Sequence, residues 1–255
     1  MMESSEDILM SGSFNELRPL EIRMSTSSAF SGSCMISLGN TIAKCLVNLP
    51  KISTKKASTE YGQFTLELTS NYLYHTPKYL ETLKSHIIET FERHILLQNY
   101  PSQIIEAYII VSNDDGGLLP ALIMGMCLSL IDCGIQVYDV ISACSVCIFK
   151  DQDGNVITGL DFNKNELSYY QSKDPDLTVV NLGYCCHLHN VAFLESKGNY
   201  SSEHIGKALE VAEVACNLIS GELFKILKEN HTWRCEKSNF TLQTEYIQPD
   251  VDLNK

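Results

Sequence analysis

Hydrophobic residues are concentrated in one stretch of the chain, residues 103–149, which polar turns divide into three parts. Residues 104–111 are rich in β-branched and aromatic side chains and end at the turn-forming residues 112–117, which predicts a strand. Residues 118–133 carry apolar side chains on every face and stop before Gly134, which predicts a helix buried all round. Residues 137–149 form a second β-type run. The pattern therefore predicts a buried strand, helix and strand at the centre of the protein.

Further predicted elements lie on both sides of this central stretch. Residues 33–41 and 42–49 predict two strands that meet at Gly39-Asn40, a dipeptide typical of hairpin turns. Thr76 and Pro77 are the residue types expected at the cap and first position of a helix. The other predictions are an extended segment (17–24), a strand (64–68), a short strand (156–162), a polar loop (163–175), two strands (177–186 and 190–194) and an amphipathic helix from Ser201 to about Asn230.

The order of these elements, in which strands are followed by a helix and the unit is loosely repeated, predicts an α+β domain. With 255 residues, 44% of them hydrophobic, the chain can bury a sizeable core. We expect residues 1–14 to form a mobile N-terminal tail and residues 231–255 a polar C-terminal tail. Residues 15–230 remain for the domain itself.

The chain is acidic, with a formal net charge of −12 and a pI near 5.0. A free-standing nucleic-acid-binding protein needs a surplus of Lys and Arg, so any role with RNA requires a local basic patch or basic partners. The ten cysteines lie mostly inside apolar runs, and no secretory signal precedes them. We therefore expect reduced, buried thiols in a cytosolic or nuclear protein without a membrane anchor.

Several motifs are compatible with chemistry, but each also has a purely structural interpretation. Asp114-Asp115-Gly116-Gly117 precedes an apolar helix, where backbone amides could bind an anion, or it is a plain strand-to-helix turn. Asp161 and Glu166, with Asp174 and Asp176 nearby, could hold a divalent cation or act as acid and base. Alternatively, they are solvated residues of a polar loop.

Cysteines and histidines in the second half of the chain have the residue types that bind zinc. Their spacing matches known zinc sites poorly, and two of the cysteines would point to opposite faces of a strand. Core cysteines and loop histidines are therefore the favoured interpretation. The residues concerned are Cys144, Cys147, Cys185, Cys186, His187 and His189.

Short motifs spread over residues 16–230 together resemble the RNase PH family. They are Glu16-Leu17-Arg18-Pro19, Gly32-Ser33, Leu38-Gly39-Asn40-Thr41, Asp115-Gly116-Gly117-Leu118-Leu119-Pro120-Ala121, Asp132-Cys133-Gly134-Ile135 and Asp139-Val140-Ile141-Ser142-Ala143-Cys144-Ser145. Within that family the chain is most similar to a ring subunit of the eukaryotic RNA exosome, and residues 134–139 favour the mRNA-transport-regulator type. The resemblance implies the RNase PH-like (ribosomal protein S5 domain 2-like) fold of repeated β-α units.

The resemblance also implies which residues could act, and this chain departs from the family at most of them. Active members attack the last phosphodiester of RNA with inorganic phosphate, which is held by arginines and a Gly-Thr-Arg turn, while two acidic residues bind a metal ion or act as acid. The arginine positions here are Lys78 and Tyr79, and the turn is Gly117-Leu118-Leu119. Asp161 matches the first acidic position, but Leu167 stands at the second. Because leucine cannot replace Arg or Asp, we expect no phosphate binding, phosphorolysis, metal or cofactor.

The resemblance therefore implies a catalytically inactive structural subunit of the exosome ring, which supports 3′-to-5′ processing and degradation of RNA, including ribosomal RNA. The expected partners are other RNase PH-like subunits in a hetero-hexameric ring, cap proteins of the S1/KH type and the RNA that passes through the complex. Lys51, Lys55 and Lys56 in a polar loop, together with Lys78, are the expected RNA contacts, although solvated lysines are the alternative. The expected location is the nucleus, including the nucleolus, and the cytoplasm.

Two other functions remain open at this point. One is an active, phosphate-dependent 3′-to-5′ exoribonuclease of the RNase PH type with an unusual site. The other is a metal-binding module built on the cysteines and histidines. The first differs from the structural subunit at Leu118, Leu119 and Leu167, where the sequence favours the inactive form.

Overall fold

Ten strands and four helices follow one another in the computed structural model, which describes residues 16–52, 60–150 and 154–245. The strands are β1 (Leu20–Met24), β2 (Gly32–Leu38), β3 (Thr41–Val47), β4 (Lys51–Ile52), β5 (Gln63–Ser70), β6 (Gln103–Asn113), β7 (Ile141–Lys150), β8 (Val156–Leu160), β9 (Thr178–Cys185) and β10 (Asn190–Lys197). The helices are α1 (Pro77–His94), α2 (Leu118–Asp132), α3 (Lys164–Lys173) and α4 (Ser202–Glu245).

The strands form two sheets. The first has the order β1-β2-β3-β6-β4, with β5 running parallel to β6. Its β2–β3 hairpin pairs Leu38 with Thr41 around the predicted Gly39-Asn40 turn, and Gly39 has the positive φ that this turn requires. The second sheet has the order β10-β9-β7-β8 and is antiparallel throughout. The hairpin prediction is thus confirmed.

Helix α2 is the centre of the core, as its apolar sequence predicts. It packs against β2 and β3 of the first sheet and against β7 of the second, and Ile131 is its only residue that is not buried. Helix α4 packs against β7 and β9, so that β7 is covered by both helices and only Lys150 of this strand is exposed. The predicted strand, helix and strand at the centre of the protein are confirmed, and so is the α+β class.

Helix α1 begins as its sequence predicts. The Thr76 hydroxyl accepts a hydrogen bond from the Tyr79 amide, and Pro77 occupies the first turn. Leu83, Ile87 and Phe91 are buried on the inner face of the helix, which packs against β5. In the described part of the chain, the helices lack the combination of length and apolar character that crossing a membrane requires.

Three features of the structure differ most from the sequence predictions. Residues 164–173 form helix α3 and not a loop, because Asn163 and Glu166 make a reciprocal capping box at its start. Strand β7 begins at Ile141, four residues later than predicted. Helix α4 continues to Glu245, so residues 231–245 are helical where a polar tail was expected. The predicted tail at residues 1–14 lies outside the described residues.

Candidate functional site

A cavity of about 320 Å³ lies where the start of α2 meets α1, α3 and the second sheet. Its walls come from both halves of the chain, and they include most of the positions at which the family resemblance implies a phosphate site. The fold therefore brings together residues that are far apart in sequence. The lining residues most relevant to chemistry are Tyr79, Leu118, Leu119, Lys164, Leu167 and Lys197.

The part of the cavity next to α2 is apolar. Leu118 and Leu119 are buried in the first turn of this helix, directly after Gly117, whose left-handed backbone forms the N-cap. Leu167 on α3 packs against a small second core cluster that contains Phe149 and Phe162. A phosphate placed here would meet branched aliphatic side chains in place of the guanidinium and hydroxyl donors that bind it.

One of the two lysines that line the cavity belongs to a buried network around Asp114. The Lys164 ammonium and the His75 Nε2 atom each lie 2.8 Å from Oδ2 of Asp114, and the Gly116 amide donates to Oδ1 at 3.1 Å. Burial alone raises the pKa of Asp114, but the hydrogen bonds from Lys164, His75 and Gly116 outweigh it and hold the pKa below its usual range. The Lys164 charge is therefore balanced by a carboxylate.

The second lysine is also paired. Lys197 Nζ lies 2.6 Å from Glu195 Oε1, and the other Glu195 oxygen accepts a hydrogen bond from Asn181 at 3.0 Å. Burial, assisted by the negative charges of Asp114 and Glu195, raises the pKa of Tyr79 to about 12. The tyrosine is therefore a neutral phenol at physiological pH, and the charged groups of the cavity form two balanced pairs.

Asp161, the acidic residue retained from the family pattern, is engaged in a structural ion pair. Its carboxylate receives the Arg18 guanidinium at 2.5 Å and 3.0 Å and the Arg18 amide at 3.2 Å, and Asp161 is 3% exposed. Arg18 also donates to the carbonyl oxygens of Asp115 and Gly116, at 2.9 Å and 3.2 Å. This arrangement ties the N-terminal segment to the turn before α2.

Of the carboxylates considered as a cation site, Asp161 and Glu166 line one cleft, whose lining includes neither Asp174 nor Asp176. Glu166 accepts the Asn163 amide at 2.9 Å as part of the capping box of α3. Asp174 accepts the Lys150 amide at 2.9 Å and the Tyr200 hydroxyl at 2.6 Å. Each acid thus has a local structural role, but Asp161 and Asp174 are buried and not solvated as the structural interpretation of this segment expected.

The cysteines and histidines considered as zinc ligands are also separated. Cys144 and Cys147 belong to different core clusters, as their spacing on a strand predicts. Cys144 instead contacts Cys216 of α4, with 3.6 Å between the sulfur atoms, and His187 contacts the buried Asp139. Within residues 16–52, 60–150 and 154–245, no group of three or more His, Cys, Asp or Glu side chains is placed to hold a metal ion.

The predicted RNA-contacting lysines are only partly described. Lys51 is exposed on β4 and forms an ion pair with Glu106 at 3.0 Å. Lys78 is exposed in the first turn of α1, next to the cavity residue Tyr79. Lys55 and Lys56 lie outside the described residues. Contact of these four lysines with RNA therefore stays a prediction.

Comparison with known proteins identifies the class of this fold. The structure of rice (Oryza sativa) Rrp46 superposes with a TM-score of 0.73 over 86% of this chain and 98% of that chain, at 22% sequence identity. The architecture is therefore the RNase PH-like α+β fold, as the resemblance implies. Residues 16–136 also match the model of the 3′ exoribonuclease family, domain 1.

Sequence relatives agree with this class. The exosome complex component SKI6 of Saccharomyces cerevisiae is 31% identical over 149 residues, which cover 53% of this chain and 60% of that protein. The human exosome complex component RRP41 is 25% identical over 226 residues, which cover 84% of this chain and 88% of that protein. The matched domain and these relatives make the chain similar to the RNase PH family. The mRNA-transport-regulator type is not distinguished by these relatives and stays a prediction.

Proposed function

We propose that this protein is a catalytically inactive, structural subunit of an RNA exosome ring, which supports 3′-to-5′ processing and degradation of RNA. The observation that supports this proposal is the cavity that contains most of the positions at which the resemblance implies a phosphate site. Leu118, Leu119 and Leu167 line it, and both of its lysines are neutralised by carboxylates 2.6–2.8 Å away. A phosphate there would meet only lysines that are already paired, and the carboxylate beside each lysine would repel it.

The role of Asp161 supports the same conclusion. A carboxylate that binds a metal ion or transfers a proton needs a lone pair directed at the substrate. Both oxygens of Asp161 instead accept hydrogen bonds from Arg18, and Asp161 lines a different cleft from the one that contains Leu118 and Leu119. The residue thus stabilises the fold, and its retention does not require catalysis.

Without phosphate binding and phosphorolysis, the proposed role of the chain is to assemble with other protein subunits. Relatives named as exosome complex components motivate a hetero-hexameric ring of RNase PH-like subunits with S1/KH-type cap proteins. RNA would then pass through the complex, with Lys51, Lys55, Lys56 and Lys78 as proposed contacts, and the complex would act in the nucleus, the nucleolus and the cytoplasm.

A phosphorolysis assay tests this proposal. The purified chain, alone and together with its co-expressed RNase PH-like partners, is incubated with single-stranded RNA, with and without inorganic phosphate. We expect no phosphate-dependent release of nucleoside diphosphates above the background of a protein-free sample. RRP41-type relatives assayed in parallel serve as the comparison for family-type activity.

The alternative function, an active phosphorolytic exoribonuclease, keeps one supporting observation, which is the presence of Asp161 at the first acidic position. It predicts that the wild-type chain releases nucleoside diphosphates only when phosphate is present. It also predicts that the Asp161→Asn variant loses this activity, although its circular dichroism spectrum is still that of a folded protein. That result would refute the structural-subunit proposal. The check on folding is essential because Asp161 also holds Arg18.

A further inference from the structure

Two adjacent apolar side chains project into solvent from the loop between β5 and α1. Leu73 is 94% exposed and Tyr74 is 82% exposed, the two highest values among the large hydrophobic residues in the described part of the chain. The Tyr74 ring contacts the Tyr72 ring, with 5.4 Å between the centroids, but most of both side chains remains in water. Single exposed apolar residues are common on protein surfaces, but a neighbouring exposed pair is costly to solvate.

The loop that carries this pair is held rigidly. The Tyr72 amide donates to the Ser70 hydroxyl at 3.1 Å, and the same hydroxyl lies 2.7 Å from His75 Nδ1. The other His75 nitrogen binds the buried Asp114, and the Lys164 ammonium lies 4.1 Å from the centre of the Tyr72 ring. Thr76 then caps α1. Anchors on both sides therefore fix the backbone that presents Leu73 and Tyr74.

We propose that the turn of residues 71–76, here called the docking turn, inserts Leu73 and Tyr74 into an apolar pocket of a neighbouring protein subunit. A preformed turn loses little conformational entropy on binding, and buried aromatic and aliphatic anchors supply most of the energy in protein interfaces. The exposed Lys78, two residues after the turn, is a cation next to this surface, so the complementary pocket carries a carboxylate on its rim. That this neighbour is another RNase PH-like chain rests on the proposed function.

The observations favour a protein over an RNA strand as the partner. A leucine side chain cannot stack on a nucleobase, and Lys164, which lies over the Tyr72 ring, is already paired with Asp114 at 2.8 Å. The chain as a whole carries a formal charge of −12, which repels phosphates unless a local patch compensates. An apolar pocket, in contrast, removes both exposed side chains from water at once.

A matched pair of double variants tests the docking turn in the full-length chain. Leu73→Ser with Tyr74→Ser removes both anchors. Leu218→Ser with Tyr169→Ser makes the same two exchanges at half-exposed positions on α4 and α3. Each protein is co-expressed with each of the other RNase PH-like chains of its organism, and the dissociation constant of every pair that forms is measured with purified components. Circular dichroism and thermal unfolding check that the variants fold.

We expect the wild-type chain to bind at least one of these chains, the docking-turn variant to bind it at least about tenfold more weakly, and the control variant to bind it like the wild type. Equal binding by all three proteins would overturn the docking turn while leaving the ring proposal intact. Unchanged binding to every chain, together with weaker RNA binding by the assembled complex, would show that the turn contacts RNA instead. Failure of the wild-type chain to bind any of them would overturn the ring proposal and this inference with it.

Discussion

The exchange of Arg18 for methionine is the sharpest test of the structural role assigned to Asp161. Methionine keeps an unbranched apolar stem of similar length but has none of the guanidinium donors. The substitution removes four side-chain hydrogen bonds, two to Asp161 and two to the carbonyl oxygens of Asp115 and Gly116. The Asp161 carboxylate is 3% exposed. Of its hydrogen bonds with residue 18, only the one from the backbone amide remains.

The burial of Asp161 determines how much stability the Arg18→Met variant is expected to lose. Removing one partner of a buried ion pair destabilises a protein by about 3–5 kcal/mol, because the remaining charge has neither solvent nor a partner. That is a large part of the roughly 5–15 kcal/mol by which a typical domain is stable. Adding Asp161→Asn to Arg18→Met removes the orphaned charge, so the double variant is expected to be more stable than Arg18→Met alone. Asparagine suits this position because Asp161 has a φ of 50°.

Urea denaturation followed by circular dichroism measures these free energies of unfolding. The matched control is Arg23→Met on β1, where the arginine is 70% exposed and lies 3.9 Å from Glu21. A surface pair of this kind contributes about 0–1 kcal/mol, so the control should unfold like the wild type. An Arg18→Met cost below about 1 kcal/mol, or no greater than that of Arg23→Met, would refute the reasoning.

Two further predictions concern the turn before α2 and the network around Asp114. Because the pKa of Asp114 in the folded protein is lower than in the unfolded chain, its stabilisation is complete above the unfolded value of about 3.9 and is lost as the pH falls through the folded value. Asp114→Asn should therefore flatten the fall in the free energy of unfolding as the pH decreases below about 4, and an unchanged slope would contradict this. Gly117→Ala should destabilise the protein by more than about 1 kcal/mol. Gly117 has a φ of +62°, and the added Cβ would lie 2.6 Å from the Arg18 guanidinium. Gly206→Ala in α4, where the added Cβ has nothing within 4 Å, should instead stabilise by about 0.5–1 kcal/mol, and thermal unfolding of the two variants checks the contrast.

Local sequence signals were sufficient for most of the fold. The hairpin at Gly39-Asn40, the start of α1 at Thr76-Pro77 and the buried helix α2 depend on turn chemistry, capping and hydrophobic periodicity, all of which act over a few residues. Helix α3 was missed because its polar composition resembles a loop. Its Asn163–Glu166 capping box was present in the sequence as the signal that could have identified it.

The sequence by itself determined which residue types occupy the positions that the resemblance implies for phosphate binding, since leucine at 118, 119 and 167 cannot act as a cation or an acid in any conformation. Only the tertiary structure decided the pairing of the remaining charges. Arg18 and Asp161 are 143 residues apart in sequence, and Lys164 of α3 reaches Asp114 in the turn before α2. Such contacts follow from the packing of the two sheets around α2, which no local pattern encodes, and they determine whether a charged side chain is free for chemistry or is used to hold the fold.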